Sequence, residues 1–192
     1  MNHILPTKQA LRQTFLNLRA GLSAQRQEQV AQDVFESFFR EVTLPAGAQV
    51  RGYFPVRQEL DDMPILQALV QKGFACALPH VVAESMPLVF RRWHEGVSMV
   101  SGKYDIPEPD NVDVLTPDVL LVPMVAFDAR GYRLGYGAGF YDRTLAVLRK
   151  ARPVLAIGLA YQEQLCTEIP NAARDIRMDM IITDKNIYRF GD

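Results

Sequence analysis

Three short, largely apolar runs constrain the fold of this chain more than any other feature. They cover residues 118–123, 153–161 and 178–183. Strands buried on both faces of a parallel sheet carry such runs, whereas a strand with one face in water alternates apolar and polar residues. Patterns typical of amphipathic helices alternate with strand patterns along much of the chain. We therefore predict an α/β fold with a mostly parallel central sheet flanked by helices.

The rest of the chain favours a single layered domain with an N-terminal helical pair. Thr7 and Ser23 each stand at the start of a helical apolar pattern, and Asp61 or Asp62 begins a third helix. A fourth helix follows a glycine-rich turn. Further strands are predicted at 49–54, 74–79 and 87–93, the last of them antiparallel, and a long loop at 97–117. No repeat or linker divides the sequence, so we predict one domain over 1–192.

The composition excludes several classes of protein. With 22% charged residues and a formal net charge of -1, the chain is neither intrinsically disordered nor a globally basic nucleic-acid binder. No apolar run reaches the ~20 residues of a membrane span, and the first residues become polar too soon for a secretory signal. Cys76 and Cys166 are expected to be free thiols rather than a disulfide, and the histidines lack zinc-ligand spacing. We expect a cytoplasmic monomer with no nucleic-acid or membrane partner.

A glycine-rich segment is the densest chemical signal in the sequence. Gly135, Gly137 and Gly139 alternate with other residues between Arg133 and Arg143. Alternating glycines let the backbone approach a ligand closely and turn its N–H groups toward an anion. A helix that begins just after the loop adds the positive end of its dipole, and the two arginines can hold phosphate oxygens. The segment predicts a phosphate cradle; a tight turn with two solvated arginines is the alternative.

The loop does not match the common nucleotide motifs. A Walker A loop needs Gly-Lys-Ser/Thr at its end, but Phe140 follows the last glycine. The GxGxxG pattern needs glycine where Phe140 or Asp142 stands. A carboxylate at 142 would repel phosphate unless a cation lay between them, which indicates Mg²⁺. Lys8 and Arg12, four residues apart on the first helix, could hold the same nucleotide or form an ordinary solvated face.

Residues 133–143 (RLGYGAGFYDR), preceded by 122–128 (VPMVAFD), resemble the signature of the 5-formyltetrahydrofolate cyclo-ligase family. The resemblance extends over nearly the whole chain in family order, through 8–12 (KQALR), 53–59 followed by Asp61, 102–109 (GKYDIPEP) and 175–179 (DIRMD). Ala138 stands where the family usually has glycine or lysine, and Phe140 where it has tyrosine. We expect these differences to bear on nucleotide affinity, and the methyl group of Ala138 to require a negative φ.

The resemblance implies a reaction and a set of site residues. The reaction is the ATP- and Mg²⁺-dependent cyclisation of 5-formyltetrahydrofolate to 5,10-methenyltetrahydrofolate, through phosphorylation of the formyl oxygen and attack by N10, with release of ADP and phosphate. The implied catalytic residues are Arg133, Lys8 and Tyr141. The implied ATP-binding residues are Lys8, Gln9, Ala10, Leu11, Arg12, Arg133, Leu134, Gly135, Tyr136, Gly137, Ala138, Gly139, Phe140 and Tyr141. The implied folate-binding residues are Glu59, Tyr136, Gly137, Ala138, Gly139 and Phe140. The implied metal ligands are Asp142 and Asp175, with Asp179 as the alternative to Asp175.

Two other functions stay open on the sequence. One is an ATP-dependent ligase that acts on a different amide or carboxylate. The other is a non-catalytic protein that binds folate or nucleotide. Glu59 and its neighbourhood distinguish the first from a cyclo-ligase, because the folate pocket defines the substrate. The presence of both Asp142 and Asp175 argues against the second.

Overall fold

The computed structural model describes residues 6–191. Its helices are α1 (Lys8–Ala20), α2 (Ala24–Glu41), α3 (Met63–Gln71) and α4 (Phe140–Ala151). Its strands are β1 (Gln49–Arg51), β2 (Ala75–His80), β3 (Val89–Trp93), β4 (Met99–Ser101), β5 (Pro107–Pro109), β6 (Val119–Pro123), β7 (Ala126–Asp128), β8 (Arg133–Leu134), β9 (Leu155–Leu159), β10 (Leu165–Cys166), β11 (Met180–Ile182) and β12 (Ile187–Arg189).

A seven-stranded sheet in the order β12-β11-β9-β6-β1-β2-β3 forms the centre of the fold. The inner strands from β11 to β2 run parallel to one another. At the two edges, β3 and β12 pair antiparallel with their neighbours. The predicted α/β class, the mostly parallel sheet and the antiparallel strand at 87–93 are therefore confirmed.

Both faces of the sheet are covered, which explains the uninterrupted apolar runs. In β6, Leu120 and Leu121 are both 0% exposed, although they point to opposite faces. Leu121 packs in the cluster that includes Val34 of α2 and Leu66 of α3. Leu120 packs in the cluster that includes Leu145 of α4. A strand that contributes to two cores needs apolar residues at every position.

The N-terminal helical pair begins where the sequence predicts. The Thr7 side chain accepts a hydrogen bond from the Ala10 N–H at 3.2 Å, and that of Ser23 accepts one from the Arg26 N–H at 3.2 Å. Each bond satisfies a backbone donor of the first helical turn. Helix α1 packs through a separate small core, in which Leu11 lies in one cluster with Leu134, the residue before Gly135 of the glycine-rich segment. This contact sets the position of α1 beside the loop.

The structure differs from the prediction in several elements. The predicted loop at 97–117 contains an antiparallel hairpin of β4 and β5 joined by a short 3₁₀ turn. Two prolines in β5 argue against a strand, but a two-stranded edge tolerates them. A second sheet, in the order β10-β7-β8, and the edge strand β12 are also unpredicted. The strand predicted at 49–54 ends at Arg51. Of the two aspartates predicted to begin α3, Asp62 makes no capping bond, whereas Asp61 Oδ1 accepts from the Met63 N–H at 2.9 Å.

The structure can be compared with the predictions about the cysteines and about membrane spans. Cys76 is buried, Cys166 is half-buried and both thiols are free, as predicted. No helix within residues 6–191 is long and apolar enough to cross a membrane. His3 and the segment assessed for a secretory signal lie at least partly outside the described residues.

Candidate active site

A cavity of about 810 Å³ lies at the carboxyl ends of the central strands. Pro79 at the end of β2 and Pro123 at the end of β6 line it, together with the start of α1 and the glycine-rich loop. Ligands of open parallel sheets bind in this position. A second cavity of about 630 Å³ shares only Glu59 with it, and no lysine or arginine is among its lining residues. The first cavity is therefore the candidate site for an anionic ligand.

The glycine-rich loop connects β8 to α4 and forms one wall of this cavity. Gly137 and Gly139 have φ values of 110° and 69°, in the region that favours glycine. Gly139 immediately precedes α4, so the positive end of the helix dipole is at the cavity. Ala138 does not adopt positive φ, which meets the condition predicted for its methyl group. The positive φ values and the helix that begins at the cavity are features expected of an anion-binding segment.

The two arginines that bracket the loop have different partners. Arg133 is largely buried and donates from Nη2 to Asp142 Oδ1 at 3.0 Å and from Nη1 to the Ile176 carbonyl at 2.7 Å. Burial lowers the pKa of Arg133, and the neighbouring Asp142 opposes that effect. Arg143 donates to the Glu84 carbonyl at 2.7 Å and lies over the Phe140 ring. Both arginines line the cavity.

Helix α1 brings two cations to the same wall. Lys8 Nζ donates to Asp175 Oδ2 at 2.6 Å, and Arg12 Nε donates to the Gly135 carbonyl at 2.8 Å. These contacts tie Lys8 and Arg12 to the wall of the cavity, and their role in nucleotide binding stays a prediction. The intervening residues do not line the cavity: Gln9 and Ala10 are exposed, and Leu11 is buried in the small core under α1.

Two carboxylates lie among these cations. Asp142 Oδ1 accepts from Arg133 and from the Ile176 N–H at 3.0 Å. Asp175 Oδ2 accepts from Lys8 and from the Ala172 N–H at 2.7 Å. Burial alone would raise the pKa of Asp175, but the bonds from Lys8 and Ala172 hold it below its usual value. Asp175 is therefore a carboxylate at neutral pH, and both Asp142 and Asp175 line the cavity.

The carboxylates fit a magnesium ion that binds together with phosphate. The second oxygens, Asp142 Oδ2 and Asp175 Oδ1, accept no hydrogen bond from residues 6–191. Mg²⁺ usually takes one or two carboxylates and completes its shell with phosphate oxygens and water. No group of three or more His, Cys, Asp or Glu side chains suited to a metal occurs in the described chain. Asp179 lies outside the cavity lining, and its Oδ2 accepts from the Ala156 N–H at 2.6 Å and from Arg149.

The opposite wall carries Glu59, which is 7% exposed. Its Oε2 accepts from the Val56 N–H at 3.0 Å. Arg57 and Gln58, just before it, have φ values of 49° and 56°, which is strained for residues with a Cβ. Strain of this kind persists where the surrounding structure enforces it, often at a binding site. Burial raises the pKa of Glu59, while the Val56 N–H, Arg19 and Tyr136 lower it.

Two tyrosines of the loop reach this wall. Tyr136 interacts with Glu59 and receives a hydrogen bond from Arg19. Burial, reinforced by Glu59, raises the pKa of Tyr141 well above its usual value. Tyr141 therefore keeps its proton at neutral pH and can donate a hydrogen bond, but it does not serve as a base. The remaining loop residues predicted to bind ATP or folate, Leu134, Ala138 and Phe140 among them, also line the cavity.

Two side chains of the site were not predicted from the sequence. Glu108 of β5 lines the cavity and pairs through Oε1 with His80 Nδ1 at 2.7 Å and Arg91 Nη1 at 3.1 Å. Its segment was recognised, but no residue in it was assigned. Arg19 lies behind Tyr136 and is buried. A signal for it exists, because Leu11, Phe15 and Arg19 are spaced by four and share one face of α1.

Comparison with known proteins identifies the family of the chain. A model of the 5-formyltetrahydrofolate cyclo-ligase family matches residues 4–184. The 5-formyltetrahydrofolate cyclo-ligase of Escherichia coli K12 is 31% identical over 180 residues, which cover 90% of this chain and 97% of the relative. The enzyme of the same name from Haemophilus influenzae is 31% identical over 176 residues, or 88% and 93% of the two chains.

Solved structures give the same result. The NMR structure of 5,10-methenyltetrahydrofolate synthetase from Aquifex aeolicus superposes with a TM-score of 0.81 at 32% identity, covering 96% of this chain and 93% of the other. The 5,10-methenyltetrahydrofolate synthetase of Mycoplasma pneumoniae superposes with a TM-score of 0.75 at 25% identity, covering 93% and 99%. The chain belongs to the 5-formyltetrahydrofolate cyclo-ligase family.

Proposed function

We propose that this cavity catalyses the ATP- and Mg²⁺-dependent cyclisation of 5-formyltetrahydrofolate to 5,10-methenyltetrahydrofolate, with release of ADP and phosphate. One observation carries the proposal: the glycine-rich loop, the cations of α1 and the carboxylates Asp142 and Asp175 face a single cavity. Its size is that of a small-molecule site. Membership of the family supports the reaction, and the names of the relatives supply its substrate and product.

The chemistry of the substrate explains the need for ATP. An N5-formyl group is an amide, so its carbonyl carbon is a poor electrophile and its oxygen a poor leaving group. Transfer of the γ-phosphoryl group to the formyl oxygen turns that oxygen into part of a phosphate, which leaves readily. N10 then attacks the formyl carbon, the five-membered ring closes and phosphate departs. The protein therefore acts mainly by positioning the two substrates and by stabilising charge.

The nucleotide half of the site consists of the loop and three cations. The backbone N–H groups of the loop and the start of α4 bind phosphate oxygens. Lys8 and Arg133, which now pair with carboxylates, stabilise the charge that develops on the transferred group. Arg12 supports the loop through the Gly135 carbonyl. Asp142 and Asp175 would hold Mg²⁺, which when bound neutralises charge on the phosphate oxygens.

The folate half of the site is the wall formed by Glu59 and Tyr136. The polar edge of a pterin carries N–H donors, and a buried carboxylate is a strong acceptor for them. Tyr141, which retains its proton, lies between the two halves and can donate a hydrogen bond to the reacting group. A single domain over 1–192, the monomeric state and the cytoplasmic location belong to the same proposal, and the two free thiols support a reducing compartment.

A direct assay tests the reaction. The near-UV absorbance of 5,10-methenyltetrahydrofolate is followed after the protein is mixed with 5-formyltetrahydrofolate, ATP and Mg²⁺, with ATP or Mg²⁺ omitted in parallel. We expect a rise that requires both. Absence of the rise, with ATP binding still measurable by calorimetry, would retain the phosphate site and reject folate as its substrate. Absence of both would reject the proposed function.

A further inference from the structure

Arg19 is a buried cation without an acidic partner. It is 1% exposed, and no carboxylate within residues 6–191 lies within ion-pair distance of it. Its Nη1 donates to the Met124 carbonyl at 3.2 Å, its Nη2 donates to the Tyr136 hydroxyl, and its Nε has no partner. Burial of an unpaired charge is costly, and leucine or methionine would suit this apolar face of α1 better. The cation therefore needs an explanation other than packing.

The direction of one hydrogen bond supplies that explanation. A guanidinium group has only donors, so the Tyr136 oxygen must accept from Arg19. The hydroxyl proton of Tyr136 is then left to point elsewhere, and Glu59 is the carboxyl group whose charge acts on Tyr136. The hydrogen bond from Arg19 to Tyr136 thus runs from behind the loop to the wall of the cavity that carries Glu59. Tyr136 and Glu59 line the cavity, whereas Arg19 does not.

The other groups around Glu59 increase the importance of this cation. Arg57, on the same loop as Glu59, is the second positive charge that acts on it. The titratable groups on which Glu59 acts are acidic or neutral, namely Tyr53, Asp62, Tyr136 and Tyr141. Glu28 and Asp61 line the second cavity together with Glu59. Arg57 also lies over the outer face of the Tyr136 ring, at 5.4 Å from its centroid. Arg19 is thus the inner cation, fixed by burial, and Arg57 lines the open cavity.

We propose that Arg19 is a positioning residue for the folate substrate: it fixes the Tyr136 hydroxyl on the wall of the cavity where Glu59 accepts hydrogen bonds from the N–H groups of the pterin edge. The inference rests on the proposed function, because Glu59 and Tyr136 serve folate only if the cavity binds it. Arg19 touches no substrate and acts through the two residues that do. Loss of its charge should therefore weaken folate binding and shift its pH dependence, while the nucleotide half of the site remains intact.

The test compares Arg19→Met and Arg19→Lys with Arg26→Met. Arg26 lies on α2, pairs with Glu163 and Asp184, and is outside both halves of the site. For Arg19→Met we expect the KM for 5-formyltetrahydrofolate to rise about tenfold, or about 1.4 kcal/mol, with the KM for ATP unchanged within a factor of about two. Arg26→Met should lower thermal stability and leave the ratio of the two KM values unchanged. Equal rises in both KM values for Arg19→Met would indicate a merely structural role and overturn the proposal.

The pH profile gives a second readout that a structural role would not move. Arg19 lowers the pKa of Glu59, so its removal should shift the acid limb of kcat/KM for folate to higher pH. Arg19→Lys keeps the charge, so its acid limb should lie close to that of the unmodified protein. In a Glu59→Gln background the limb should be absent, and Arg19→Met should no longer move it. An unchanged limb in Arg19→Met would overturn the proposal.

Two further measurements distinguish failure of this inference from misfolding of the variant and from failure of the proposed function. If Arg19→Met does not fold, Tyr136→Phe removes the hydrogen bond from Arg19 and retains the cation; a folate KM and acid limb equal to those of the unmodified protein would then overturn the proposal. If the unmodified protein forms no methenyltetrahydrofolate, the proposed function itself fails. Activity of the unmodified protein without any effect of Arg19→Met or Tyr136→Phe rejects this inference and leaves the function in place.

Discussion

Replacement of Gly137 by alanine tests whether the loop works through its backbone. Gly137 has a φ of 110°, and a Cβ there would lie 3.5 Å from the nearest atoms, which belong to the Arg12 guanidinium. That is ordinary van der Waals contact, so the cost of Gly137→Ala is backbone strain and not a clash. A residue with a Cβ in such a region costs roughly 1–3 kcal/mol. If the loop must keep this shape to bind phosphate, kcat/KM for ATP should fall by about 5-fold to about 150-fold.

Gly135 provides the matched control. It has no positive φ, and a Cβ there would meet no atom within 4 Å. Gly135→Ala should therefore change kcat/KM for ATP by a factor of about two or less. Steady-state kinetics with ATP varied at saturating folate, together with thermal melting of both variants, separate loop strain from loss of folding. Equal losses in Gly135→Ala and Gly137→Ala would refute the argument from φ, as would a Gly137→Ala variant that binds ATP normally.

Three further predictions follow from the site and the core. Asp142→Ala should reduce turnover and weaken the dependence on Mg²⁺; an unchanged Mg²⁺ titration would remove Asp142 from the metal site. Arg133→Ala should raise the KM for ATP more than that for folate, and the opposite ratio would reject its assignment to the phosphates. Burial raises the pKa of Cys76 to about 12, so a thiol reagent at pH 8 should label Cys76 slowly in the folded protein and rapidly in urea. Peptide mapping of the labelled protein measures this, and fast labelling without denaturant would contradict the burial of the thiol.

The sequence predicts the centre of the fold and the nucleotide half of the site better than their surroundings. The run at 118–123 is decisive because both faces of β6 are buried, so burial overrides any alternation in the pattern. The glycine-rich loop is recognisable because two of its glycines occupy conformations that other residues avoid. Lys8 and Arg12, by contrast, look like any exposed pair until tertiary structure places them against Asp175 and Gly135.

What the sequence does not reveal depends on contacts between distant segments. The hairpin of β4 and β5 was not predicted because Pro107 and Pro109 weaken the strand pattern, although both are compatible with an isolated pair of strands. The resemblance implies Asp175 as a metal ligand with Asp179 as its alternative, and the structure places only Asp175 at the cavity. The Oδ2 atom of Asp179 already accepts hydrogen bonds from the Ala156 N–H and from Arg149. Arg19 carries a local signal, since it interrupts the apolar face of α1, but its partner Tyr136 is 117 residues away.

On the proposed function, two ion pairs of the cavity bear on which form of the nucleotide it accepts. Lys8 pairs with Asp175 and Arg133 with Asp142, so the charge of each of these two cations is already matched by a carboxylate. A bare triphosphate would have to break both pairs, and it would then face two carboxylates of its own sign. A ligand with both signs of charge, such as the complex of ATP with Mg²⁺, can exchange partners with all four groups at once. If these four side chains bind the nucleotide as proposed, they should discriminate against metal-free ATP and against anions that carry no cation.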